Sequence, residues 1–320
     1  MAFFRRAAVL SAFSAFAGAS YKAQQDPLAA QVQCAPFQGS TNKNSAFTTT
    51  FQQYKLGEIL NLAEDVAIFR FLLHNADDQF DLVPCSTLQA QFATGANRIE
   101  QVQRAYTPIT PNGAKGYFDI LVKKMYQGRM TETLFSLKPG DQLQFRVVFH
   151  KLKYTPNKWE HVGLIGGGTG LTPLLQVIRH ALMESEDKTK LTLLFANQTP
   201  SKILLKGLLD DLVIKSHGRF ETHYVVDRIP EGESLDRGFI GHINAAMIRE
   251  TMPPPSDKNL VLVCGPDPMV TALTGVPRAV LKQMSGGLPQ QPLGGSINNY
   301  GELGGVLAEL GYKNEQVYRF

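Results

Sequence analysis

HVGLIGGGTGLTPLLQVIRHAL, residues 161–182, is an apolar run, a glycine turn and an amphipathic helical stretch in direct succession. That order is the first β-turn-α unit of a doubly wound sheet. The spacing is not the usual GxGxxG register, and no Gly-Lys-Ser/Thr follows, so it is not a P-loop either. Gly166, Gly167, Gly168 and Gly170 let backbone approach a ligand closely, and Thr169 and Thr172 place hydroxyls at the same turn.

Downstream, LTLLFANQT (191–199) and FETHYVVD (220–227) read as further strands, and NLVLVCGPDPMV (259–270) as a strand ending in a Cys-Gly-Pro turn. Strands alternating with helical patterns predict a parallel sheet, with ligand at the carboxyl ends of its strands. The GGGTG turn and Cys264 both fall at such ends. Cys264 has two readings: a small buried hydrophobe, or a compact sulfur beside a nicotinamide ring.

Upstream the pattern differs. VAIFRFLL (66–73), RIEQVQRAYT (98–107), GYFDILVKK (116–124) and DQLQFRVVF (141–149) are short β-rich runs. Turn chemistry at residues 75–78, 111–113 and 138–141 separates them, with one short helix expected near 131–137. This predicts an antiparallel barrel. Within it, RAYTPIT (104–110) suits a flavin. Arg104 offers a fixed fork of donors to a pyrophosphate, Tyr106 a flat ring, Thr107 a small hydroxyl, and Pro108 an extended strand end. A surface arginine and a core tyrosine would look the same. GRMT (Gly128, Arg129, Met130, Thr131) reads as a helix start able to hold an anion, or as ordinary capping.

The 320 residues leave room for two domains and a tail, and 43% apolar residues fit a globular chain. A net charge of +4 without long basic runs gives no case for nucleic acid but suits an acidic protein partner. Cys34, Cys85 and Cys264 are too few for a four-thiolate cluster and form no zinc or disulfide pattern, so no metal site is expected. The start, MAFFRRAAVLSAFSAFAGASYK, is basic and free of acids, and its apolar part is shorter than the roughly twenty residues of a membrane span. It reads as a mitochondrial presequence or outer-membrane anchor, a secretory signal or a plain extension. The expected layout is a targeting or anchor segment (1–25), a linker (26–50), a barrel domain (51–155) and an α/β domain (156–320).

Together these motifs resemble the ferredoxin-reductase superfamily and, more narrowly, the NADH–cytochrome b5 reductases. RAYTPIT resembles RxYTPxS, GRMT resembles G(K/R)MS, and GLIGGGTGLTPLLQVI, LLFANQT and CGPDPM also match. The ending GELGGVLAELGYKNEQVYRF is similar to fungal mitochondrial members. The resemblance implies an antiparallel FAD-binding barrel followed by a doubly wound nicotinamide-binding domain. Arg104, Tyr106, Thr107, Pro108, Val122 and Lys123 would contact FAD, and Gly128, Arg129, Met130 and Thr131 its diphosphate. Gly168, Thr169, Gly170 and Thr172 would lie between flavin and nicotinamide. Cys264, Gly265, Pro266 and Met269 would shape the nicotinamide pocket, with Thr107 and Cys264 closest to the chemistry.

The implied activity takes hydride from NADH to FAD and sends single electrons to cytochrome b5. Rivals are a reductase for a quinone or an iron–sulfur protein, and a nucleotide-binding scaffold without turnover. The implied location is the mitochondrial outer membrane or intermembrane space, with the endomembrane system as alternative and membrane attachment through the N-terminus. Lys123, Lys124, Lys151, Lys153 and Lys158 form either a docking face for an acidic haem protein or a solvated basic face. Three departures stand out. Cys85-Ser86-Thr87 replaces the usual Gly-Gln-His. Lys202 replaces an acid after ANQT, which leads us to expect measurable NADPH use. Residues 276–298 form an insertion, read as a surface loop.

Overall fold

Alternation decides the inward face of each barrel strand. Leu143, Phe145 and Val147 point into the core while Gln142, Gln144 and Arg146 do not. A computed structural model describes residues 47–94, 100–148, 152–235, 238–275 and 302–320. The expected targeting segment, most of the linker, Lys151 and the insertion lie outside the described residues.

The first domain contains β1 (Gln52–Ala63), β2 (Val66–Leu72), β3 (Thr87–Thr94), β4 (Glu100–Tyr106), β5 (Tyr117–Lys123), α1 (Arg129–Ser136) and β6 (Gln142–Val148). The strands pair antiparallel in the order β4-β3-β6-β1-β2-β5. The two ends of this order meet just past β4. Pro108 bridges Ile120 of β5, and Ile109 N donates to Asp119 O at 2.9 Å. RAYTPIT is therefore the seam of the barrel.

Aromatic rings fill the barrel. Phe118 lies 5.5 Å from Phe71 and 5.2 Å from Phe145, stacked on the first and edge-on to the second. Such pairs add about 0.5–1.5 kcal/mol each beyond area burial. Phe47, in the stretch read as linker, is buried against Phe80 and Phe118, so core packing begins before Phe51.

β1 and β3 were not among the runs expected from sequence. β3 alternates Leu88 and Ala90 in the core with Gln89 and Gln91, which are also buried. Their amides are satisfied across strands: Gln89 Nε2 donates to Gln103 Oε1 at 2.8 Å, and Gln91 Nε2 to Gln144 Oε1 at 3.1 Å. Satisfied amides make a buried polar face tolerable.

The second domain contains β7 (His161–Gly167), α2 (Leu171–Met183), β8 (Lys190–Asn197), α3 (Lys206–Lys215), β9 (Phe220–Val226), β10 (Gly238–Ile240), α4 (Ala245–Thr251), β11 (Asn259–Cys264), α5 (Asp267–Thr274), α6 (Gly305–Glu309) and β12 (Val317–Arg319). Its six strands run parallel in the order β10-β9-β8-β7-β11-β12. The chain winds outward from β7 on one side, then returns to place β11 on the other. The β7/β11 boundary is thus the topological switch point, where such sheets bind ligands. Among the described residues no helix is long and apolar enough to cross a membrane.

Asp119 anchors the barrel seam. Its backbone N donates to Thr110 Oγ1 at 2.6 Å, and its carboxylate takes two 2.9 Å bonds from Arg70 on β2. Burial pushes the Asp119 carboxyl up, and Arg70 pulls it partly back. Removing one partner of such a pair strands the other charge, so Asp119→Leu should destabilise by about 3–5 kcal/mol. Replacing both as Arg70→Met with Asp119→Leu should recover much of that loss. Urea unfolding measures both, and equal losses for single and double variants would show that the pair is not the anchor.

Candidate functional site

The glycine turn and the Cys-Gly-Pro turn meet backbone to backbone at the switch point. A Cβ on Gly170 would lie 2.3 Å from Cys264 O and 2.7 Å from Gly265 Cα. No side chain fits there, whatever its dihedrals. Gly168 has φ +51° and open space around it, so its glycine serves the turn and leaves room above it. Met269 packs on the same floor, its Sδ 2.8 Å from where a Cβ of Gly167 would stand. Pro266 is exposed and precedes the first turn of α5. Cys264 ends β11 opposite Gly166, is 4% exposed and forms no disulfide.

The remaining turn residues are less free. Thr172 is buried and its hydroxyl donates to Thr169 O at 3.2 Å. Thr169 itself is half-buried. The Gly168–Gly170 turn contacts β5 of the barrel, which brings the two domains together here. Along β5, Phe118, Ile120 and Val122 enter the barrel core while Lys123 stays half-exposed. Val122 therefore commits its side chain to packing.

The flavin motif divides between surface and interior. Arg104 is exposed, and its Nη1 donates to Gln103 O at 2.7 Å. Tyr106 is half-buried against the core, and burial raises its pKa, which keeps the hydroxyl protonated. Thr107 and Pro108 are buried at the seam.

Helix α1 starts at Arg129 rather than 131, because Glu132 N already donates to Gly128 O at 2.8 Å. Gly128 is the cap residue. Thr131 Oγ1 turns back, donating to Gly128 O at 2.9 Å and accepting from Met125 N at 3.1 Å. Gly128 has no side chain with which to cap the first turn, and the start of a helix is where an anion is held. Met130 is buried, Arg129 is exposed, and α1 packs against β4, the strand of Arg104. Tyr126, 91% exposed just before GRMT, is a ring that sequence reasoning passed over.

Sequence reasoning also missed the residues that join the domains. On α2, Gln176 Oε1 accepts from Cys85 N at 3.1 Å, and Gln176 Nε2 donates to Pro108 O at 3.3 Å. One turn on, Arg179 Nη1 donates to Ile109 O. Positions 172, 176 and 179 share one helix face. The helix that begins at the glycine turn is thereby tied to the barrel seam. A cleft beside these bonds is lined by Leu82, Pro84, Pro111, Leu175, His180 and Met183.

The Cys85-Ser86-Thr87 departure has a structure too. Cys85 has φ +69°, a conformation suited to the glycine usual there. Thr87 Oγ1 is buried without a protein partner among the described residues, and so is Asn197 Nδ2 at the carboxyl end of β8. Such atoms call for a ligand or water. An orphan hydroxyl beside the seam and a helix start packed on the strand of Arg104 fit a flavin ring and diphosphate. The open switch point fits a dinucleotide.

Relatives agree with this geometry. The oxidoreductase FAD-binding domain family matches residues 53–154, and the oxidoreductase NAD-binding domain family matches 164–274. NADH-cytochrome b5 reductase 2 of Saccharomyces cerevisiae (strain YJM789) is 36% identical over 267 residues, 83% of this chain and 81% of the relative. The chain belongs to the NADH–cytochrome b5 reductase family. An NADH-cytochrome b5 reductase-like protein of Arabidopsis thaliana is 36% identical over 270 residues, 84% of this chain and 76% of that protein. The cytochrome b5 reductase domain of Ulva prolifera nitrate reductase shares the fold, with TM-score 0.69 and 24% identity over 87% of this chain and all of that one.

If Gln176 holds the Cys85 amide, Gln176→Leu should lower stability by about 1–3 kcal/mol, the cost of an orphaned buried polar group. It should also speed hydrogen exchange at that amide. Unchanged exchange at Cys85 would mean its amide is held by another group.

Proposed function

We propose that the chain passes electrons from NADH through a bound FAD, one at a time, to cytochrome b5. The contact of the Gly168–Gly170 turn with barrel strand β5 carries this reading. It is the place where a nicotinamide over the turn would face a flavin against the barrel seam. Bound FAD supplies a carrier that accepts two electrons together and releases them singly. The protein holds and orients. Arg104 and the N–H groups of Arg129, Met130 and Thr131 hold the diphosphate. Tyr106, Thr107 and the Thr87 hydroxyl line the ring, with Thr87 standing where the family usually has histidine. Lys123 and the Val122 backbone run along it. Cys264, Gly265, Pro266 and Met269 form the nicotinamide floor against Gly168, Thr169 and Gly170. Thr172 shapes that turn rather than offering its proton outward.

A chain of this kind is yellow when pure. It bleaches with NADH in anaerobic stopped flow and recovers colour on mixing with oxidised cytochrome b5. Recovery with a quinone or an iron–sulfur protein, and not with the haem protein, would favour the other acceptor. Losing a hydrogen-bonded charge contact costs about 1.5–3 kcal/mol, so Arg104→Ala should purify with much less FAD. Full flavin content after dilution would remove Arg104 from the site.

The described lysines that would dock an acidic haem protein are all exposed or half-exposed. Lys123 is paired with Asp65 at 3.5 Å, and Lys158 sits over the Trp159 ring at 4.6 Å. Lys124 lies over the Phe135 ring at 5.7 Å, and Lys124, Lys153 and Lys158 are exposed. Electrostatic steering weakens with salt. Turnover with cytochrome b5 should therefore fall as ionic strength rises, while ferricyanide turnover falls less. A flat profile would count against a basic docking face. The basic start of the chain supports mitochondrial targeting or anchoring, which residues 1–25 fused to a fluorescent protein would test.

A further inference from the structure

The amide of Gln176 meets two groups that ask for opposite chemistry. The Cys85 N–H can only donate, and Pro108, which has no N–H, offers only a carbonyl. Gln176 Oε1 accepts from Cys85 N at 3.1 Å, and Nε2 donates to Pro108 O at 3.3 Å. The two partners fix which way the amide points. An ionised glutamate would lack the donor, and a lysine would lack the acceptor.

Those two peptide groups flank different strands. Cys85 precedes β3 and Pro108 follows β4, and the strands pair with Leu88 opposite Tyr106. Thr87 and Thr107 therefore sit at adjoining strand ends, the first two residues after Cys85 and the second next to Pro108. Both are buried, and the Thr87 hydroxyl has no protein partner among the described residues. Cys85 holds φ +69°, which a residue with a Cβ keeps only where its surroundings impose it. Gln176 grips the amide of that residue. At its other end Gln176 belongs to α2, which begins directly after the glycine turn. Six residues, about 9 Å of helix at 1.5 Å per residue, separate it from Gly170, which is pressed on Cys264 and Gly265. Arg179, one turn on, adds a bond to Ile109 O.

We propose that Gln176 is a positioning residue for hydride transfer, aligning the ring-lining ends of β3 and β4 with the glycine turn that carries the nicotinamide. This role rests on the electron-transfer reading given above. The amide acts through the backbone of Cys85 and Pro108, and so on Thr87 and Thr107. The grip on FAD lies elsewhere, at Arg104 and the start of α1, and the nicotinamide floor lies at Cys264 to Met269. Losing Gln176 therefore spares both affinities and spoils the alignment between them. Misplacement by about 1 Å can cost on the order of 100-fold in such a step.

Gln176→Glu and Gln176→Met are compared with wild type and with Leu212→Ala, which unpacks α3 of the same domain without touching the seam. Each FAD-loaded protein is measured three ways: FAD retained on dilution, anaerobic reduction over a range of NADH concentrations, and visible circular dichroism of the bound flavin, which needs no turnover. Both Gln176 variants should retain FAD and keep half-saturating NADH within about threefold of wild type, while the limiting reduction rate falls by roughly tenfold or more. Their flavin dichroism should depart from wild type. Glutamate keeps the acceptor and loses the donor, so it should fail along with methionine. Leu212→Ala should keep the wild-type rate and dichroism. Wild-type rates and dichroism in both Gln176 variants, or an equal slowing in Leu212→Ala, would make Gln176 a structural tie only. Weaker NADH binding at an unchanged limiting rate would move Gln176 to nucleotide binding and overturn the positioning role. If wild type itself takes up no FAD, or holds it and is not bleached by NADH, the electron-transfer reading fails and the role of Gln176 with it.

Discussion

One short segment, Pro108 to Thr110, is held from both sides, and the working geometry depends on it. From the barrel, Asp119 receives Ile109 N and donates to Thr110 Oγ1. From the nucleotide domain, Gln176 and Arg179 take the carbonyls of Pro108 and Ile109. Few backbone groups of the segment are left to water. It can shift only by breaking bonds to both domains, each costly to leave unmade when buried. The residues just before it, Arg104 to Thr107, belong to the flavin motif. Placing the flavin is thus coupled to placing helix α2.

Helix α2 carries that constraint to the other cofactor. It begins at Leu171, directly after the glycine turn, and ends at Met183. Gly170 at its head is pressed on Cys264 and Gly265, and Gln176 and Arg179 further along are pressed on the seam. A rigid helix pinned at both places would set the separation between a nicotinamide over the turn and a flavin at the barrel in the function proposed above. Hydride transfer is steeply sensitive to such distances. The protein's share of the chemistry is therefore mostly backbone architecture. That fits a site whose named side chains, Thr172 and Thr131 among them, spend their hydroxyls on internal bonds.

The doubly wound half was legible because its signals are local. An apolar run, a glycine turn and a helix follow one another without a gap between 161 and 182, and the central strands β7, β8 and β11 are buried on both faces along most of their length. The barrel was legible only in part. β3 was hidden because Gln89 and Gln91 read as surface residues, and only the facing Gln103 and Gln144 make their burial tolerable. β1 was hidden because its last six residues are all exposed or half-exposed, so Ile59, Leu60 and Leu62 do not follow the alternation of a half-buried strand. Gln176 and Arg179 are polar residues within an amphipathic helical stretch. Their partners, Cys85, Pro108 and Ile109, lie 68 to 91 positions away in the chain, beyond any local pattern.

The departures from the family pattern fall where this architecture leaves side chains room to vary. At Cys85 the backbone keeps the left-handed turn that glycine would adopt, and the Gln176 bond helps hold it at a cost of about 1–3 kcal/mol for a residue with a Cβ. At Thr87 a shorter hydroxyl replaces an imidazole, and its oxygen stays buried and unspent beside the seam. At Lys202 the charge has reversed, yet a carboxylate from another loop has come to lie one residue away. In each place the backbone position is kept and the chemistry is rebuilt around it. The shared seam fixes the backbone, and the side chains around it are left free to differ.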